Sequence, residues 1–92
     1  MADGGVRHDE ARRRFEIVEE GATGFLTYHL KDGAIVFTHT IVPKEIEGRG
    51  IGSRLVRAGL DFARGAGLNV VPQCPFVADY IERHPEYGDL LA

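Results

Sequence analysis

Seven consecutive residues, Glu47, Gly48, Arg49, Gly50, Ile51, Gly52 and Ser53, carry the densest chemical signal in this chain. Three glycines alternate there, between a β-prone run that closes on Val42 and Pro43 and a run with helical period. Without Cβ atoms the backbone can turn tightly and approach a ligand closely, its N–H groups aimed outward at the positive end of a helix dipole. That geometry suits an anion with several oxygens, a diphosphate above all. Two other phosphate loops are excluded by spacing: a P-loop ends in Gly-Lys-Ser/Thr, and a dinucleotide fingerprint needs a further glycine where Ser53 stands. The plainer alternative is a sharp strand-to-helix turn with no ligand.

Two other side chains have reactive groups to offer. His39 lies in the β-prone run that leads to the glycines, and an imidazole with a pKa of about 6.5 suits a general base. A hydrogen-bonded strand histidine is the bland reading of the same residue. Cys74 immediately precedes Pro75 and a helical pattern, and amides at a helix start favour a thiolate. A lone cysteine is otherwise a small buried hydrophobe. Tyr80 shares the spacing of Val77 and His84 and reads as core, and the run Arg12, Arg13, Arg14 reads as solvated surface beside Asp9 and Glu10.

The elements that must position these residues follow from period. Residues 1–13 are polar, Gly-containing and without a period of 2 or 3.6, and read as a frayed leader; residues 14–92 read as one domain. From Phe15 a short strand alternates Phe15 and Ile17 against Glu16 and Glu19, stopping at Glu20-Gly21. Residues 22–30 and 34–42 form a hairpin through Lys31-Asp32-Gly33, since Gly accepts the positive φ of a tight turn. Ile51, Leu55, Val56, Leu60, Phe62 and Ala63 then mark the apolar face of a helix ended by Gly65 and Gly67. Residues 68–71 read as an inner strand, and Pro75 opens a second helix that Pro85 stops. The order β-β-β-α-β-α predicts an α/β (α+β) fold with a mixed sheet of about four strands and two helices, antiparallel first and parallel at the last pair.

Composition narrows the partners. Eleven Lys and Arg against fourteen Asp and Glu give a formal charge of -3, the wrong sign for a phosphate backbone, so nucleic acid is not expected. No window approaches the roughly 20 apolar residues of a membrane span, and the N-terminus lacks a signal-peptide apolar region, so a cytoplasmic protein is expected. One cysteine and no zinc-finger spacing leave neither a disulfide nor a metal site. Stability must come from packing, in a monomer or a weak homodimer gaining from a paired sheet edge.

Val42-Pro43 at a strand end, a short acidic link, then Gly48-Arg49-Gly50-Ile51-Gly52 opening a helix with Leu55 resembles motif A of the Gcn5-related N-acetyltransferases. The run 36–42 with His39-Thr40, together with Val71-Pro72-Gln73-Cys74-Pro75-Phe76 and Arg83-His84-Pro85-Glu86-Tyr87, is similar to the very small YjdJ-type branch. The likeness covers about residues 14–90. It implies the minimal fold of that family, with acetyl-coenzyme A or coenzyme A lodged where the strand of Val42 splays from that of Val71. Gly48, Arg49, Gly50, Ile51, Gly52 and Ser53 would hold the diphosphate, and the backbone of Ile41 and Val42 the pantetheine arm. The implied reaction is acetyl transfer to an unidentified amine, on a small molecule or a peptide, with Cys74 or His39 as the chemical group.

This sequence also departs from the family pattern. Glu47 stands where the usual motif has Gln or Arg, so its side chain cannot donate to a phosphate. The first helices and last strands of full-length members have no counterpart, which leaves the acceptor pocket unbuilt or completed by another protein. A non-catalytic module that binds coenzyme A or an acyl relative and acts through a partner is therefore the alternative.

Overall fold

Alternating apolar and polar residues produce five strands within residues 5–91, the part of the chain that the computed structural model describes. They are β1 (Arg7–Asp9), β2 (Arg14–Glu19), β3 (Ala22–Lys31), β4 (Ala34–Ile41) and β5 (Asn69–Pro72), lying side by side in sequence order. The first four pair antiparallel and β5 joins β4 in parallel, as the crossover predicted. Two α-helices, α1 (Ile51–Ala66) and α2 (Pro75–Arg83), and two 3-10 segments, Lys44–Ile46 and Pro85–Leu90, complete the described fold. The β3–β4 turn places Asp32 at φ 51 and Gly33 at φ 77, the doubly positive backbone that suits a right-twisted hairpin.

The leader expected over residues 1–13 is corrected in its second half, while residues 1–4 lie outside the described residues. Arg7–Asp9 is a fifth strand paired to β2, and Val6 beside it is buried. Its hold on the sheet is non-local. The His8 ring stacks on Phe15 with centroids 4.1 Å apart, meets Phe62 edge-on at 4.5 Å, and its Nε2 lies 2.6 Å from the Tyr28 hydroxyl. Three residues are too few to show a period, so the segment reads as polar leader until its partners are known.

Both helices cover one face of the sheet. Phe15, Ile17, Leu26, Tyr28, Ile35, Phe37 and Val70 pack there against Leu55, Val56, Leu60 and Ala63 of α1 and Val77 and Ile81 of α2. Complete burial of a side chain such as Leu26, Leu55 or Leu60 contributes about 1.5–3 kcal/mol each. Phe62 is only partly buried, and Ala58 and Gly59 take its place on the inner stripe of α1. Helix α1 runs through Gly65 and stops at Gly67, whose left-handed φ of 70 lets its N–H reach back to Ala63 and Arg64 carbonyls.

The opposite face carries no described helix. Glu16 lies there, as alternation requires, yet it is buried: Arg14 Nε sits 2.8 Å and Arg7 Nη1 3.5 Å from its carboxylate. Arg14 also covers the Phe25 ring at 4.8 Å, so this member of the arginine run is a packed residue rather than a solvated one.

Candidate functional site

Strand alternation from Ile35 and Phe37 would aim His39 and Ile41 at the helices and Thr40 away from them. An irregularity in the β3–β4 register reverses this. Tyr28 pairs with Phe37 and Thr27 with His39, so Thr38 is an extra residue on β4, a β-bulge held by its hydroxyl 2.7 Å from that of Thr27. Beyond the bulge Thr40 pairs with Leu26 and turns to the helix side, while His39 pairs with Thr27 and Ile41 with Phe25 on the open face.

The β4–β5 ladder ends at Phe37 and Pro72, with the Cys74 N–H donating to the Phe37 carbonyl at 3.0 Å as the last link. From Thr38 onward no described strand pairs with that edge of β4. The cleft so opened is about 480 Å³ and is lined by Thr40, Val42, Glu47, Gly48, Gly50, Ile51, Gly52, Ser53 and Phe76.

A short 3-10 turn, Lys44–Ile46, carries the chain from β4 to the glycines and is anchored by Ile46, which is fully buried. Gly48 and Gly50 have φ of 81 and 72, conformations that disfavour a Cβ, and Gly50 caps α1. The Arg54 N–H is the first to close a helical bond, onto the Gly50 carbonyl at 3.1 Å. The amides of Ile51, Gly52 and Ser53 precede that ladder and face the cleft end of the dipole, the arrangement that receives an anion. Gly52 has a different reason to lack a side chain, since the Phe76 ring occupies the space beside it. Each glycine therefore has a conformational or packing cause, and the anion cradle is what that conformation exposes.

Cys74 is buried at the N-cap of α2, with Sγ 3.3 Å from the Thr40 hydroxyl. Burial pushes its thiol up, but the Thr40 hydroxyl and the Val77, Phe76 and Thr40 backbone groups outweigh that and leave it below the ordinary thiol value. No side-chain cap bond forms, and Pro75 has no N–H, so the effect comes first from the Thr40 hydroxyl and then from amides near the sulfur rather than from a formal cap. The sulfur lies behind Thr40, which lines the cleft.

The expected site residues are thus only partly assembled. Val42, Gly48, Gly50, Ile51, Gly52 and Ser53 line one cleft, and the buried Cys74 is behind it, its sulfur against the hydroxyl of the lining residue Thr40. The side chains of His39 and Ile41 are aimed at the other face of the sheet, and that of Arg49 reaches away to Glu20, with Nη1 3.0 Å from the carboxylate, but the backbone of Ile41 lies on the unladdered stretch of β4 and that of Arg49 between the lining residues Gly48 and Gly50. Tyr80 stacks on His84 with centroids 3.9 Å apart, and Tyr87 donates to Asp61 at 2.8 Å. Burial and that carboxylate push the Tyr87 phenol up to about 12. Thr40, Glu47 and Phe76 are the lining residues that sequence reasoning did not assign to the site. The phase change at the bulge hides Thr40, whereas Phe76, an apolar residue just inside a Pro-started helix, was legible as a position but not as a lining.

Comparisons with known proteins agree with this architecture. The sequence model of the family described as GCN5-related N-acetyl-transferase matches residues 14–90. Protein NATD1 of Mus musculus is 34% identical over 83 residues, covering 87% of this chain and 76% of that protein. Protein NATD1 of Homo sapiens has the same identity, with 87% and 74% covered. The NMR solution structure of a GCN5-like chain from Staphylococcus aureus superposes with a TM-score of 0.74 at 28% identity, covering 100% of this chain and 91% of that one.

Proposed function

Since this chain belongs to the GCN5-related N-acetyltransferase family, we propose that it binds acetyl-coenzyme A in the cleft between the unladdered end of β4 and the start of α1, and transfers acetyl to an amine. The observation that carries this reading is the single cleft in which the Gly48 and Gly50 turn, the first amides of α1 and the open edge of β4 meet. The cleft fits the cofactor by chemistry: amide donors at one end for a diphosphate, and a strand edge beside them for an extended amide-bearing arm. When bound, the cofactor supplies an acetyl group activated as a thioester.

The chain's own residues would do the rest. Residues 50–53 hold the anionic end, Val42 and Phe76 exclude water, and the Thr40 hydroxyl and Cys74 thiol stand where β4 and β5 part. His39 belongs to the opposite face, so a base at that position would act on an acceptor arriving from the open side of the sheet.

A second reading, a binding module without catalysis, is favoured by one observation. Glu47 is the sole ionisable side chain among the lining residues, and it belongs to the anion loop. Calorimetric titration of the full chain with coenzyme A tests the shared premise, and heat without saturation would end both readings. Incubation with labelled acetyl-coenzyme A and added amines then separates them. Transfer of label to an amine supports the enzyme, and saturable binding without transfer supports the module.

A further inference from the structure

The glycine loop carries one long cation, Arg49, and two carboxylates hold it outside the cleft. Its Nη1 lies 3.0 Å from Glu20 and 3.8 Å from Glu19, and Arg54 of α1 lies 3.7 Å from the same Glu19. Both acids sit at the tip of the β2–β3 hairpin, where Glu20 and Gly21 form the turn with φ of 51 and 80. Glu47 adds a further carboxylate to the lining of the cleft. A loop whose amides are arranged for an anion is therefore rimmed by acids that occupy the guanidinium nearest to it.

A carboxylate and a phosphate compete for the same planar fork of N–H donors. We infer that Glu20 is a positioning residue for the anionic ligand: it holds Arg49 on the hairpin tip until a phosphate in the glycine loop takes the guanidinium from it. The inference rests on the coenzyme A reading above. It makes the β2–β3 turn a determinant of affinity although no atom of that turn lines the cleft. Arg49 released from Glu20 gains a charge-assisted bond to the ligand, and the hairpin tip loses its tie to the loop. Both ends of the exchange are exposed, so the effect is screened by salt.

The test is calorimetric titration of the full chain with coenzyme A, at low and at high salt, for the parent, Glu20→Asn, Glu20→Asp, Arg49→Gln and the double variant Glu20→Asn/Arg49→Gln. Asn tolerates the left-handed backbone of position 20, and melting curves confirm that each variant is folded. Removing the Glu20 carboxylate is expected to tighten binding by about fivefold at low salt, the upper range for an exposed ion pair, and by less at high salt. Arg49→Gln weakens binding, and the double variant matches Arg49→Gln alone, while Glu20→Asp stays near the parent. A fivefold gain that persists in the double variant would assign the effect to bulk charge and overturn the inference. So would unchanged affinity in folded Glu20→Asn, in either case leaving the coenzyme A reading intact. A parent that binds no coenzyme A overturns both.

Discussion

A Cβ built on Gly52 would stand 2.9 Å from Cζ of Phe76. The first turn of α1 and the first turn of α2 touch at this point, on the rim of the cleft, and a ring that is 42% exposed has room to move. Gly52→Ala is therefore expected to fold, because a gain of up to about 1 kcal/mol in helix propensity offsets the displacement of the ring. Affinity for coenzyme A should fall about tenfold, a loss of roughly 1.4 kcal/mol, as Phe76 is driven from its place. Adding Phe76→Ala to that variant should cost little more, because the ring's contribution is already lost. Parent-like affinity in Gly52→Ala, measured by titration, would remove Phe76 from the site.

Two other glycines should respond with opposite signs. Gly50 caps α1 at a positive φ, and Gly50→Ala should destabilise the chain by roughly 1–2 kcal/mol in urea unfolding. Gly65 lies within α1 with open space where a Cβ would point, and Gly65→Ala should stabilise it by up to about 1 kcal/mol. If both changes moved the midpoint in the same direction, the conformational assignment of the loop would be wrong.

The Thr40 hydroxyl is the first of the groups that favour the Cys74 thiolate against burial. Thr40→Val removes that donor and keeps the shape, so the pH midpoint for alkylation of the single cysteine should move up and the rate near neutrality should drop several-fold. An unshifted midpoint would mean that the helix-start amides alone set the thiol.

His8 ties β1 to the core, and burial lowers its pKa from 6.5 against the opposing pull of Glu10 and Asp9. The folded state therefore holds fewer protons than the unfolded chain just below the unfolded pKa. Its stabilising effect is complete above about 6.5 and is lost as pH falls through that value toward the lower folded one. Unfolding free energy measured between pH 7.5 and 5.5 should decline more steeply in the parent than in His8→Asn. Equal slopes would show that the imidazole is not desolvated.

Much of this molecule was legible from local pattern. The Asp32-Gly33 hairpin, the amphipathic α1, and the Pro75 start and Pro85 stop of α2 follow from period and turn chemistry, because each depends on neighbours within a few residues, and the parallel last pair follows from the strand-helix-strand order. The glycine loop was legible for the same reason, since positive φ at Gly48 and Gly50 is a requirement the residue type itself announces.

What the tertiary structure alone decided is which side chains face the cleft. One extra residue at Thr38 inverts the two-residue period of β4, trading His39 for Thr40 on the helix side, and that trade depends on a register with β3 that no local pattern encodes. Likewise β1 exists because His8 finds Phe15, Tyr28 and Phe62, and Arg49 turns outward because a distant hairpin tip brings Glu20 within reach. Sequence determines the elements through short-range sterics and burial; the site is set by long-range pairing, where a shift of one residue exchanges the faces of a sheet.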